Sequence, residues 1–301
     1  MMPAIHQPVL VNEVLRELAI RPGNVVLDAT IGMGGHAERF LEAVGSAGWL
    51  IGIDRDEEAL DYARVRLERF QRQMKLVHGH FGVLASVLNQ LHVDAVDAVL
   101  FDLGVSSFQL ETSRRGFSFS REGPLDMRMD QTEGKEAAEI VNHYSLQELV
   151  ELLTGYGEER WAKRIARAIV RERPMATTVQ LAQVIRRALP PAARSGRIDP
   201  ATRTFQAIRI AVNQELELLL LGLNQAIDCL RPPGRIAVLA YHSLEDRIVK
   251  TTFREQSRAA RIEILTKKPI KPSPEEVRRN PRSRSACLRV AQRLSESETE
   301  R

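Results

Sequence analysis

Cysteine is almost absent from the chain. Two residues in 301, Cys229 and Cys287, stand far apart without C-x-x-C spacing. That excludes a disulfide scaffold and a cysteine-based zinc site. Long apolar runs are missing as well, since the longest, around Leu218 to Leu221, falls well short of the roughly 18 residues of a membrane span. No membrane partner is expected. The apolar residues near the start are interrupted by Asn12, Glu13, Arg16 and Glu17, so no export signal is expected and the expected location is cytoplasmic. Metal ligands at working spacing are also lacking. His78 and His80 have no carboxylate or cysteine at ligand distance along the chain, which makes them loop histidines, with metal: none as the expectation.

What remains is a globular composition, 44% hydrophobic and 27% charged, with length for two domains or one domain carrying a large insertion. Net charge is +4, and it is unevenly spread. Residues 1–110 hold nine Lys and Arg against 14 Asp and Glu, a net −5, whereas residues 111–210 hold 17 against 13, a net +4. Residues 211–249 return to −2, and residues 250–301, with 14 against seven, reach +7. An acidic core flanked by basic segments suits a polyanion gripped outside the core, although solubility charge alone would give the same totals.

The chain is organised around Val25-Val-Leu-Asp-Ala-Thr-Ile-Gly-Met-Gly-Gly-His36. β-favouring residues run into an aspartate, glycines follow, and Ala37, Phe40, Leu41 and Val44 then repeat at helical spacing. This is the opening unit of a nucleotide-binding α/β domain. Further buried strands are read at 49–53, 75–78 and 96–101, the first and last running into Asp54 and Asp102. Helices are expected at 12–18, 57–70 and 83–91. Strands alternating with helices predict a parallel sheet.

The alternation stops after the fourth strand. Residues 111–204 carry a Gly/Arg/Phe-rich loop and helical patterns at 146–153, 158–171 and 179–189, which predict an all-helical subdomain inserted into the α/β domain. The expected division is a discontinuous domain of residues 1–110 and 205–301 around an insert at 111–204. One long helical stretch, interrupted or not, spans 205–230, and a fifth strand at 235–241 precedes a helix at 244–253. Late strands are expected at 261–266 and 287–292, and the Ser- and Glu-rich last seven residues are expected to be disordered.

The glycine loop alone leaves two cofactors open. Gly32-Met-Gly34-Gly35-His36-Ala37 satisfies a relaxed dinucleotide pattern, and Asp54 lies at ribose-binding distance. A pyrophosphate, however, would meet Asp28 at the end of the first strand and an acidic core, both of which suit a cationic sulfonium ligand better. Asp28 also has a reading as a turn or capping residue.

Several stretches resemble the signatures of one family, the RsmH (MraW) methyltransferases. They are His6-Gln-Pro-Val-Leu10, Asp28-Ala-Thr-Ile-Gly-Met-Gly-Gly-His36, Asp102-Leu-Gly-Val-Ser-Ser-Phe-Gln109, Arg115-Gly-Phe-Ser-Phe119, Gly123-Pro-Leu-Asp-Met-Arg-Met-Asp130, Tyr156-Gly-Glu-Glu-Arg160, Tyr241-His-Ser-Leu-Glu-Asp-Arg247 and Asn280-Pro-Arg-Ser-Arg-Ser285. They occur in order over nearly the whole chain. The resemblance implies a Rossmann-like S-adenosylmethionine-dependent methyltransferase fold and transfer of a methyl group to the N4 amine of a cytidine in the decoding region of 16S ribosomal RNA. The implied partner is 16S rRNA in the small ribosomal subunit, and the implied cofactor contacts are Gly34, Gly35, His36, Asp54, Phe81, Asp102 and Gln109. Two positions depart from the pattern: Gly82 stands where relatives often carry serine, and Tyr241 where they usually carry phenylalanine.

The residues themselves fit these roles. Asp54 can accept bonds from ribose hydroxyls, and Phe81 is either an adenine-stacking ring or a core phenylalanine. Methylation at carbon 5 would need a cysteine nucleophile, which neither Cys229 nor Cys287 is placed to supply. Amine methylation instead needs alignment and a proton acceptor, for which Asp102 or a backbone carbonyl of its loop is the candidate, with Ser106 and Ser107 orienting the base. The run from His242 to Asp246 is a second candidate wall of the site, or a helix cap. For RNA phosphates the expected contacts are Arg160, Lys163, Arg164, Arg167 and Arg171, which share one helical face without an acid. Residues 114–121, with Phe117 and Phe119, are expected to stack on unpaired bases or to form a lid.

Overall fold

The computed structural model describes residues 8–194 and 199–295. Part of the His6 to Leu10 stretch and the expected disorder at 296–301 lie outside the described residues. By internal contacts the chain forms two compact units: a strand-bearing unit of Met1–Gly104 with Leu216–Arg301, and a helical unit of Val105–Glu215.

The strand-bearing unit opens with α1 (Val11–Leu18), β1 (Val25–Asp28), α2 (Gly35–Val44), β2 (Trp49–Asp54), α3 (Glu57–Arg66), β3 (Met74–His78), α4 (Leu84–Gln90) and β4 (Val96–Asp102). The helical unit follows with α5 (Ser107–Glu111), α6 (Ala137–His143), α7 (Leu146–Gly155), α8 (Ala162–Arg171), α9 (Thr178–Ala188), α10 (Pro191–Arg194) and α11 (Ala201–Asn213). The chain then returns through α12 (Glu215–Cys229), β5 (Leu230–Ala240), α13 (Ser243–Arg258), β6 (Ile262–Ile264), α14 (Pro274–Arg279) and β7 (Cys287–Arg293).

The seven strands form one sheet in the order β3-β2-β1-β4-β5-β7-β6. Strands β1 to β5 are parallel, and β7 runs antiparallel to both β5 and β6. Near-continuous apolar runs in β1, β2 and β4 are what a parallel sheet covered on both faces demands. Alternate residues feed two cores. Val26, Leu50 and Leu100 pack with Phe40, Leu41 and Leu60 from α2 and α3. Leu27, Ile51 and Val99 pack with Leu84, Leu223 and Phe253 from α4, α12 and α13.

Several local departures from the sequence reading have identifiable causes. The stretch read as helical from 205 to 230 breaks at Gln214, which takes a left-handed conformation with φ 49°. The segment after Arg66 tightens into a 3-10 helix at Glu68–Gln73. Strand β5 starts early, because Val96 pairs with Leu230 and Ala98 with Arg235, leaving residues 231–234 as an irregularity that one strand absorbs. Helix α14 arises inside the Pro- and Arg-rich connection: Ser273 accepts the Glu276 N–H as N-cap, and Pro274 takes the first turn, where its missing N–H costs nothing.

The helical unit has its own core, built from Leu149 and Leu153 of α7, Ile165 and Ile169 of α8, Leu181 and Ile185 of α9, and Phe205 and Ile208 of α11. Reciprocal capping boxes start α7 (Ser145 with Glu148) and α9 (Thr177 with Gln180). Helix α6 has no counterpart in the sequence reading, since seven residues give too few turns for a periodic signal. Between α5 and α6 the backbone is held by buried polar side chains. Arg115, fully buried, donates to the carbonyls of Arg128 and Met129. Asn213 accepts the Met129 N–H at 2.8 Å and donates to the carbonyls of Met127 and Arg209.

Asn213→Ala is therefore expected to destabilise the protein by about 2–3 kcal/mol, because it strands the buried Met129 N–H and Met127 carbonyl. Urea unfolding followed by circular dichroism measures this. A change below about 0.5 kcal/mol would show that water replaces the amide without loss.

Candidate active site

In an open parallel sheet, ligands bind beyond the carboxyl ends of the strands, where the strand order reverses. Here β1 lies between β2 and β4. All three of these neighbouring strands end in aspartate: Asp54 on β2, Asp28 on β1 and Asp102 on β4. Three carboxyl groups thus share one edge of the sheet.

Each is held differently. Asp28 is 1% exposed and accepts the Thr30 N–H at 3.2 Å, closing a turn. Loss of solvent, reinforced by Asp102 and Asp54, pushes its carboxyl up to about 8. The sequence reading as a carboxylate displayed to a ligand gives way to the turn reading. Asp54 accepts the Gly32 N–H at 2.7 Å on one oxygen and the Asp56 N–H at 2.9 Å on the other. Loss of solvent outweighs these two bonds and raises it to about 6. Asp102 accepts the Tyr241 hydroxyl at 2.7 Å on Oδ1, and its Oδ2 lies 3.4 Å from His36 Nδ1.

The glycine loop fits between these groups. Gly34 caps α2 in a left-handed conformation with φ 79°, and a Cβ there would also meet the Leu67 side chain at 3.1 Å. At Gly35 a Cβ would press on Pro8 at 3.3 Å. Gly34 is thus favoured by its own backbone conformation, whereas a side chain at 35 would need Pro8 to give by a few tenths of an ångström. Gly32 is different: a Cβ would meet only the Thr30 carbonyl at 3.9 Å, so this position has room. His36, 5% exposed, donates from Nε2 to the Val9 carbonyl at 3.0 Å. Its side chain thus joins the loop to the start of the chain and to Asp102, a role that its position in the first helical turn did not signal.

Phe81 lies in a 3-10 turn after β3, its ring edge-on to Phe101 at 5.6 Å. His80 Nδ1 accepts the Gly82 N–H at 3.1 Å. An added Cβ at 82 would come within 2.9 Å of that nitrogen, so a side chain there would require the His80 ring to shift. His78 Nε2 lies 3.1 Å from the Arg55 carbonyl.

In the run after β5, His242 is the N-cap of α13, and Glu245 completes the box by accepting the Tyr241 and His242 N–H groups at 2.8 and 3.3 Å. Asp246 forms a two-point ion pair with Arg289 of β7. This stretch is an anchor for helix and sheet.

In the helical unit, Ser106 and Gln109 form a reciprocal capping box on α5. Gln109 is 4% exposed. The Ser107 Oγ is buried and has no hydrogen-bond partner among the described residues. Phe117 belongs to the core, and Phe119 packs edge-on to Phe205 at 4.9 Å with Arg186 over its ring. Neither ring forms an exposed stacking platform, because the apolar faces of α9 and α11 claim them.

The basic face also changes. Glu158 takes φ 46° and Glu159 accepts the Trp161 N–H, so α8 starts at Ala162 and Arg160 lies before it, over the Trp161 ring at 5.4 Å. Lys163, Arg164, Arg167 and Arg171 are exposed on α8. An acid does neighbour them, since Glu172 pairs with Arg171 at 3.0 Å. Arg164 donates to the Ala188 carbonyl. Arg187 of α9, absent from the sequence reading, joins Arg164, Arg167 and Arg171 in lining a surface depression floored by Ala168 and Ala188.

With this geometry in place, comparison with known proteins is informative. Residues 3–294 match the MraW methylase family. A relative from Pelobacter propionicus named ribosomal RNA small subunit methyltransferase H is 50% identical, the match covering 96% of this chain and 98% of the relative. One of the same name from Persephonella marina is 51% identical, covering 96% and 99%. A crystal structure of a putative rRNA-methylase from Clostridium thermocellum is 12% identical with a TM-score of 0.48, covering 98% of this chain and 99% of that one.

The raised carboxyls set a pH dependence. Folding raises the pKa of Asp28 and Asp54 above the ordinary 3.8, to about 8 and about 6. Between these limits the folded state binds more protons than the unfolded, so stability falls as pH rises. Asp28→Asn is expected to flatten the decline between pH 6 and 8, by up to about 1.4 kcal/mol per pH unit, in denaturant titrations of the ligand-free protein. Parallel wild-type and variant curves would contradict this assignment.

Proposed function

The chain belongs to the MraW methylase family, and on that premise we propose that it transfers a methyl group from S-adenosyl-L-methionine to the N4 amine of a cytidine in the decoding region of 16S rRNA. The observation that carries the donor assignment is the pair of aspartates ending β2 and β4, Asp54 and Asp102, on either side of β1. A ligand bearing a sulfonium and ribose hydroxyls complements such a pair, whereas a pyrophosphate would be repelled by it. The space at Gly32 supports close approach of that ligand to the loop.

Asp54 is the residue for the ribose hydroxyls, since each oxygen retains a lone pair beyond its bond to Gly32 or Asp56. Gly34, Gly35 and His36 shape the loop, Phe81 offers an aromatic face to adenine, and Gln109 is a further cofactor contact. When bound, the sulfonium would supply an electrophilic methyl carbon in exchange for an N4 hydrogen, which has to be taken up as a proton by the protein. Asp102 accepts that hydrogen and keeps the amine in line, with Ser106 and Ser107 orienting the ring. The unsatisfied Ser107 hydroxyl supports a polar group from the base as its partner.

The acceptor class rests on the two relatives' name and on the arginine depression. Arg164, Arg167, Arg171 and Arg187 are suited to backbone phosphates, which guanidinium groups bind in two-point fashion. Lys163 adds charge, and Arg160 on Trp161 a further cation. Reaching N4 requires an unstacked base, so a structured single-stranded region of the subunit RNA is the substrate.

Incubation with small ribosomal subunits from a strain lacking this modification, followed by nucleoside mass spectrometry, should yield N4-methylated cytidine. Methylation at another atom or base would refute the assignment. Asp102→Asn should lower turnover at saturating cofactor by 100-fold or more, on the order of general-base contributions; full turnover would exclude the role. Combined Arg164→Ala, Arg167→Ala and Arg187→Ala should weaken RNA binding and flatten its salt dependence by roughly two to three log–log slope units, while cofactor affinity stays constant. An unchanged salt slope would place the RNA elsewhere.

A further inference from the structure

We propose that Tyr241 is a positioning residue for methyl transfer: its hydroxyl holds one oxygen of Asp102, so that the carboxylate meets the acceptor amine in one orientation. This rests on the reading of Asp102 as the group that receives the N4 hydrogen, and it adds a residue that acts through Asp102.

The geometry comes from three directions. Tyr241 follows β5 and donates its O–H to Asp102 Oδ1 at 2.7 Å. From α2, His36 Nδ1 approaches Asp102 Oδ2 at 3.4 Å. From the backbone, the Asp102 N–H donates to Thr30 Oγ1 at 2.6 Å. A carboxylate held on one oxygen by a buried hydroxyl, from a backbone that is itself pinned by Thr30, has lost much of its freedom before the reaction, and the entropy of aligning it is spent in folding.

Each holder is itself fixed. The Tyr241 N–H donates to Glu245 at 2.8 Å, and the ring lies beside Gly104, where an added Cβ would sit 3.7 Å from Cδ2. Burial, then the Asp102 carboxylate, with Glu245 and Glu276 adding negative charge, push the phenol well above its usual range. It therefore remains a donor throughout the physiological range. The charged or titratable groups around Asp102 are His36 on α2, Asp28 on β1 and Tyr241 after β5.

His36 adds a constraint on protons. Its Nε2 faces the Val9 carbonyl at 3.0 Å, an atom that only accepts, so Nε2 carries a hydrogen. A neutral ring would then turn the Nδ1 lone pair towards Asp102. Tyr241 supplies a hydrogen bond to Asp102 that does not depend on the protonation of His36 and that the phenylalanine usual in relatives lacks, so in this chain the alignment of Asp102 relies on the hydroxyl.

The test compares wild type with Tyr241→Phe, and with fluorotyrosines of graded acidity at 241, on small subunits lacking the modification. Tyr241→Phe should lower kcat by about tenfold or more, the scale of one hydrogen bond to a charged group. The subunit KM and the cofactor Kd should stay within about twofold, the mark of an interaction made in the transition state. Fluorotyrosines should restore kcat in an order that follows phenol acidity, a trend a merely space-filling ring would not produce. Equal kcat for wild type and Tyr241→Phe, or fluorotyrosine rates that ignore acidity, would overturn the proposal. Wild type that transfers no methyl group to these subunits would overturn the functional reading itself and the proposal with it.

Discussion

Three adjacent parallel strands deliver an aspartate each to one edge of the sheet, and the strand-bearing unit is arranged to tolerate that. Placing Asp54, Asp28 and Asp102 on β2, β1 and β4 brings like charges together where solvent is scarce. The protein answers with donors. Gly32 and Asp56 N–H groups face Asp54, the Thr30 N–H faces Asp28, and Tyr241 and His36 face Asp102. The glycine loop is shaped as much by this need as by a ligand, since Gly32 must turn its N–H onto Asp54 and Gly34 must start α2 against Leu67. A cationic ligand would complete what the backbone donors begin, and that electrostatic deficit is the physical content of the donor reading.

Much of this was legible in the linear chain. Apolar runs ending in aspartate, with glycines or amphipathic helices next, specify parallel strands, and the sheet edge follows from that pattern. The end of the strand rhythm near residue 111 marked the helical insertion, whose compact unit runs from Val105 to Glu215. The helix at 158–171 was read too long because Glu158 and Glu159 are good helix formers by propensity. What stops the helix there is backbone geometry, φ 46° at Glu158 and a local bond from the Trp161 N–H to the Glu159 side chain, which composition does not encode.

The less legible features are contacts between residues far apart in sequence. Nothing in the spacing of His36, Asp102 and Tyr241 announces that they meet. They do so because β1 and β5 both flank β4, a fact of strand order and not of any local pattern. The burial of Phe117 and Phe119 has the same origin: aromatic residues between arginines look like a nucleic-acid platform until α9 and α11 supply an apolar surface for them. Arg187 joins Arg164, Arg167 and Arg171 only because α8 and α9 lie side by side.

The pairing of β4 with β5 has a consequence for how the chain folds. Val96 must find Leu230, and Asp102 must find Leu239, across the whole helical insertion. Closing so long a loop is entropically costly before any ladder contact repays it. Strands β1 to β4 can assemble from neighbouring segments, whereas the seam to β5 waits until the intervening chain has compacted. A helical unit with its own core shortens that search, because it replaces a flexible connection by a folded one. The insertion thus acts as an internal folding aid for the sheet it interrupts.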